Sequence, residues 1–87
     1  MVEEIQQPLE TRISNEFKNW SKDSIKKLGV AIENIDQGEF IVAIEMRPGE
    51  EDETFRSKYR EKFEVGVYKT MEEAANVTQK VITVLGL

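Results

Sequence analysis

Apolar residues recur with two different periods along this chain, and the change of period divides it into elements. Ile5, Leu9, Ile13, Phe17 and Trp20 are spaced four, four, four and three residues apart, which is the stripe of a helix. A proline is tolerated in a first turn, so Pro8 places the regular helix from about Gln7 with Ile5 packed just ahead of it; a longer helix kinked at Pro8 is the alternative. The polar run Ser21 to Lys27 ends this helix.

From Leu28 the period is two. Leu28, Val30 and Ile32 alternate with Gly29, Ala31 and Glu33, and Phe40, Val42, Ile44 and Met46 alternate with Ile41, Ala43 and Glu45. The connection from Asn34 to Glu39 contains Asp36 and Gly38, residues that favour a reversal, so the two runs predict an antiparallel hairpin. Pro48 and Gly49 stop the second strand.

Two geometries compete for Arg47 to Lys62. Phe55, Ser57, Tyr59 and Glu61 continue the odd-numbered face of Phe63, Val65 and Val67, which predicts one long third strand projecting beyond the core. The alternative is a mobile loop, with the strand starting near Lys62. The alternation of aromatics reaching back to Phe55 favours the strand.

Thr70 then opens a capping box: its hydroxyl can accept from the Glu73 amide while the Glu73 carboxylate reaches back to the Thr70 amide. Met71, Ala74, Ala75, Val77, Val81, Ile82 and Leu85 form the apolar stripe of the helix that follows, and Gly86 is placed to terminate it. The fold class expected is α+β: a three-stranded antiparallel meander with N- and C-terminal helices packed on one face, in the order α-β-β-β-α. The opposite sheet face would show Ala31, Glu33, Ile35, Ile41, Ala43, Glu45, Glu64, Gly66 and Tyr68.

The segment from Val65 to Ala75, VGVYKTMEEAA, resembles the last strand and helix start of AP2-type and integrase-arm DNA-binding domains, and the element order is similar to that of double-stranded-RNA-binding domains. The first resemblance covers about an eighth of the chain and implies no binding residues here, because the basic and aromatic base-reading positions of those domains are not recognisable. The second departs at the start of the last helix, where Glu72 and Glu73 stand in place of phosphate-binding lysines.

Composition narrows the function more than any motif does. Eighty-seven residues make one domain with a single core. The chain has no cysteine and no histidine, so it has no thiolate nucleophile, no disulfide and none of the usual zinc ligands or imidazole bases. Its net charge of −5 argues against general phosphate binding, which needs a clustered positive surface. No apolar run reaches membrane-spanning length and no basic-then-apolar leader opens the sequence, which points to a cytoplasmic protein without membrane contact. Glu33 and Glu45 are placed to face each other across the hairpin, but the acidic run Glu50 to Glu53 lacks the ligand spacing of a calcium loop, and no glycine-rich phosphate loop is present. No catalytic, metal or cofactor-binding residue is assigned.

The expected function is that of a small, acidic, non-enzymatic protein-binding or regulatory module, of the viral or accessory kind. Its candidate partner-binding residues are Phe55, Arg56, Lys58, Tyr59, Arg60 and Lys62 of the basic-aromatic arm, together with Ile35, Ile41 and Tyr68 on the open sheet face. On an extended arm Arg56, Lys58, Arg60 and Lys62 would share one side, with Phe55 and Tyr59 on the other. The partner expected is a protein, with a second copy of the chain left open. The alternative is a nucleic-acid-binding domain using the sheet and the 55–62 arm.

Overall fold

Ser21 decides how the first helical stretch ends. Its hydroxyl accepts from the Ser24 amide at 3.1 Å, and to do so its backbone must be extended, with φ −67° and ψ 155°. A residue in that conformation cannot continue a helix. The chain therefore leaves α1 (Leu9–Phe17), turns through Trp20, whose amide bonds the Phe17 carbonyl, and enters a short second helix, α2 (Lys22–Lys26). The polar run expected only to end one helix thus starts another. The computed structural model describes residues 8–35 and 38–87. Ile5 and Gln7, at the expected helix start, and Asp36 and Gln37, in the expected turn, lie outside the described residues.

The hairpin forms as the alternation predicts: β1 (Leu28–Ile35) pairs antiparallel with β2 (Glu39–Met46), with Leu28 opposite Met46 and Ile35 opposite Glu39. Gly38 takes φ 73°, a left-handed conformation that glycine adopts without the Cβ clash of other residues. Its amide bonds the Ile35 carbonyl at 3.1 Å.

The segment after β2 corrects both expectations for Arg47 to Lys62. It is neither a long strand nor a loop throughout, because Glu53 to Tyr59 forms a helix, α3. Asp52 caps it, accepting from the Phe55 amide at 3.1 Å. In a helix Phe55 and Tyr59, four residues apart, fall on the same face. They point inward, Phe55 fully buried, and join Phe17, Trp20 and Phe63 in a group of rings, mostly edge-to-face, whose paired centroids lie 5.0–6.1 Å apart. The helix ends at Arg60, held at φ 65° and ψ −95°, the one non-glycine residue with positive φ among those described.

The third strand, β3 (Lys62–Tyr68), pairs antiparallel with β2. The sheet order is β1-β2-β3, an open meander as expected. One irregularity matters for function. Ala43 pairs with Glu64 but Val42 pairs with Gly66, so Val65 is an extra residue without a partner, a β-bulge. Partners directly opposite share a face, so beyond the bulge the alternation inverts: Gly66 and Tyr68 join Val42 and Phe40 on the helix side, and Val67 joins Ile41 on the other. Val67 is accordingly 50% exposed, while Tyr68 packs on the core. The expected placement of Gly66 and Tyr68 on the open face, and of Val67 in the core, is corrected by this single inserted residue.

The last helix, α4 (Met71–Leu85), is capped by Thr70, whose hydroxyl accepts from the Glu73 amide at 3.1 Å, and closed by Gly86 at φ 75°. Only that arm of the expected capping box forms, since the Glu73 carboxylate instead lies 3.5 Å from the Thr70 hydroxyl. Ala74 and Val81 are buried and Val77, Val84 and Leu85 pack beside them, whereas Met71, 52% exposed, and the exposed Ala75 fall outside the stripe expected for them and Ile82 lies outside the core cluster. Helices and sheet share one hydrophobic cluster: Ile13 and Phe17 of α1, Phe55 of α3 and Ala74 and Val81 of α4 meet Leu28, Val42, Ile44 and Val65 of the sheet.

Candidate functional site

The strand parity that buries Leu28, Val30, Val42, Ile44 and Phe63 under the helices turns the other half of the sheet outward. Pairwise, this face reads Ala31 with Ala43, Glu33 with Ile41 and Val67, Ile35 with Glu39, Ala43 with Glu64, and Glu45 with Lys62. Ile35, Ile41 and Val67 stay outside the hydrophobic cluster, and Val67 is half exposed. The face is therefore an apolar patch with carboxylates around it.

Its centre is ordered by one lysine. Lys62 stands opposite Glu45, yet its ammonium bonds Glu33 at 2.8 Å, two strands away. The side chain thereby spans Ala43, which lies between them on β2 and is fully buried although it faces outward. Only a small residue there leaves room for the crossing. Glu33 is held below the usual carboxylate range, chiefly by its hydrogen bond to Lys62. Glu45 shares the site but is pushed up, first by burial and then by Glu33. Lys62 is raised by Glu33. One cation thus serves two carboxylates. The expectation that Glu33 and Glu45 face each other across the hairpin is corrected, because the register sets Glu33 opposite Ile41 and Glu45 opposite Gly29; their carboxyls interact diagonally beside Lys62. Neither lies in the enclosed cleft that proton-transfer chemistry requires.

The basic-aromatic arm is dispersed. Phe55 is fully buried and Tyr59 half-buried, its hydroxyl donating a short hydrogen bond to Glu16. Burial and that bond raise the Tyr59 pKa far above its usual value, while Glu16 is lowered by Tyr59 and by Lys58, whose ammonium lies 3.0 Å away. Arg56 pairs with Glu51 at 2.8 Å. Arg60 is exposed at the end of α3, and Lys62 belongs to the open face with Ile35 and Ile41. Of the residues singled out from sequence, the structure brings together Lys62, Ile35 and Ile41. It places Phe55, Tyr59 and Tyr68 against the core, and leaves Arg56, Lys58 and Arg60 on α3 or at its end. Sequence reasoning missed Val67. The signal for it was Gly66, since an isolated glycine in a strand often marks a bulge.

A depression of about 530 Å³ adjoins the open face, lined by Glu45, Met46, Glu50, Arg56, Arg60 and Glu61. No hydroxyl, thiol or imidazole lines it. Among the described residues no group of three or more possible ligands could hold a metal ion, and no helix is long and apolar enough to cross a membrane. No protein-family model, curated protein or solved structure matches the chain.

Proposed function

We infer that this protein is a non-enzymatic binding module that docks a partner protein on the open face of its sheet. The observation that carries the reading is the apolar strip of Ile35, Ile41 and Val67, left outside the core and bordered by Glu33, Glu39, Glu45 and Glu64, with Lys62 bonded among them. Apolar surface gathered on one face and rimmed by charge is the usual mark of a protein contact. The excess of carboxylates selects a basic partner surface, whose arginine or lysine would relieve the crowding of Glu33 and Glu45. A second copy of the same face would bring like charges together and fits less well.

The nucleic-acid alternative relied on aromatics and cations displayed on an arm. Phe55 is buried, Tyr59 is bonded to Glu16, and Arg56, Lys58 and Lys62 are each ion-paired, so no observation favours it.

Site-specific photo-crosslinking tests the proposal. A crosslinker at Ile41 or Val67 should capture one partner in extract of the expressing cell, a crosslinker at Lys80 on α4 should not, and Ile35→Asp should abolish capture while the fold survives. Equal capture from both faces, or capture unaffected by Ile35→Asp, would refute it.

A further inference from the structure

A second surface lies at the outer edge of β1. The strand has a neighbour on one side only, and apart from the turn bond to Ile35 no hydrogen bond from the described residues reaches it from beyond the sheet. Between its first half and the end of α4 runs a groove of about 520 Å³ over the buried Leu28, walled by Val30 on one side and Ile82 and Leu87 on the other, with Lys26 and Arg47 at one end.

A glycine leaves room for one of these cations. Gly29 has no positive φ, so its backbone does not require glycine; a β-carbon there would stand 3.3 Å from Cγ of Arg47, a tight approach that glycine relieves. The Arg47 stem lies across the bare strand, and its guanidinium reaches the Lys26 carbonyl at 3.5 Å, the limit of a hydrogen bond. Four of its five N–H donors have no partner among the described residues, and neither Arg47 nor Lys26 is in an ion pair there. In a chain of net charge −5, two cations at the mouth of an apolar groove, in no ion pair among the described residues, favour an anionic group, and on an apolar peptide the group available is the terminal carboxylate.

We propose that the β1 edge binds an extended peptide ending in a carboxylate, added antiparallel to β1 as a fourth strand. The direction follows from the position of the cations. They sit beside Leu28, at the N-terminal end of β1, so a strand whose C-terminal carboxylate meets them must run opposite to β1. Unpaired backbone groups of the edge supply the ladder, and the groove takes the last apolar side chain. This surface adjoins the open sheet face at Gly29, opposite Glu45, but includes none of Ile35, Ile41 and Val67.

The test uses the ¹⁵N-labelled full chain and two pools of short synthetic peptides, alternating Val, Ile or Leu with Thr or Ser. One pool ends in a free carboxylate and the other in an amide. The carboxylate pool should shift the amides of Leu28 to Ile32, Arg47 and Ile82 to Leu87, and slow hydrogen exchange of the outward β1 amides. The amide pool should bind about tenfold more weakly. Arg47→Gln should erase that preference in a chain whose spectrum shows it folded. Gly29→Val should do the same without removing a charge, by displacing the arginine stem. The proposal fails if millimolar peptide shifts nothing, if both pools act alike, or if the shifts fall on Ile41, Ala43 and Val67; that last result would leave the proposed partner face standing.

Discussion

Glu45 and Glu33 sit on the same patch of sheet, share one lysine and respond to pH with opposite signs. The folded-state pKa of Glu33 is depressed, so its contribution to stability is present above the ordinary value of 4.5 and is lost as pH falls through the folded value. That of Glu45 is raised, so the folded chain holds this proton more tightly than the unfolded one, and stability declines as pH rises from about 4.5 through the folded value. Glu45→Gln, which removes a partly buried charge and its conflict with Glu33, should therefore stabilise the chain at pH 7 by on the order of 0.5 kcal/mol and lose the advantage below pH 4.5. Thermal melts across that range read the crossover directly. Arg60 offers a second test at this scale. Its backbone stands at φ 65°, where an L side chain is strained and glycine is not, so Arg60→Gly should raise the melting temperature, by roughly 1 kcal/mol of stability. An unchanged or lowered melting temperature would mean that the arginine side chain stabilises the end of α3 by more than its backbone strain costs.

At the scale of elements, α3 shows why pattern reading stops short. Phe55 and Tyr59 are four residues apart, and a spacing of four satisfies both one face of a strand and one face of a helix. What separates the two is the cap. Asp52 accepts from the Phe55 amide and also receives the Ser24 hydroxyl at 2.8 Å, and these two bonds hold its pKa below the usual range, the serine contributing most. The Ser24 bond was not legible, because it joins positions 28 apart in sequence. By contrast the extent of α4 was legible from Thr70 to Gly86, since its cap and terminator lie within its own sequence, although Met71 and Ala75 of the expected stripe are exposed. The hairpin was equally plain. On β3 the period was read correctly as far as Val65 and inverted after it, because the bulge is set by how β3 sits on β2. That is also why Val67 was missed and Tyr68 misassigned in the open face. Asp52→Ala should remove about 1 kcal/mol and speed amide exchange in both α2 and α3, because one side chain serves both. Faster exchange in α3 alone would show that the Ser24 bond carries nothing.

The whole molecule is two-layered, and its layers end differently. On the helix side the aromatic group closes the core, with Tyr59 in contact with four other rings. On the sheet side nothing comparable among the described residues covers Ile35, Ile41 and Val67, which lie outside the core cluster. Carboxylates on that face suppress indiscriminate association, since four glutamates against one lysine repel a second copy and add to the net charge of −5. If that repulsion is what keeps the face open, removing it should expose the apolar strip to the nearest available surface, another copy of the same face. The variant Glu39→Gln, Glu45→Gln, Glu64→Gln should then self-associate at concentrations where the parent chain scatters light as a monomer, and adding Val67→Asp should restore the monomer. Salt separates this from a general loss of solubility. Screening the parent face, with a Debye length of about 3 Å at 1 M, should drive the same self-association without any substitution. A parent chain that is already a dimer at low salt, with Val67 buried between the copies, would transfer this face from a foreign partner to the protein itself.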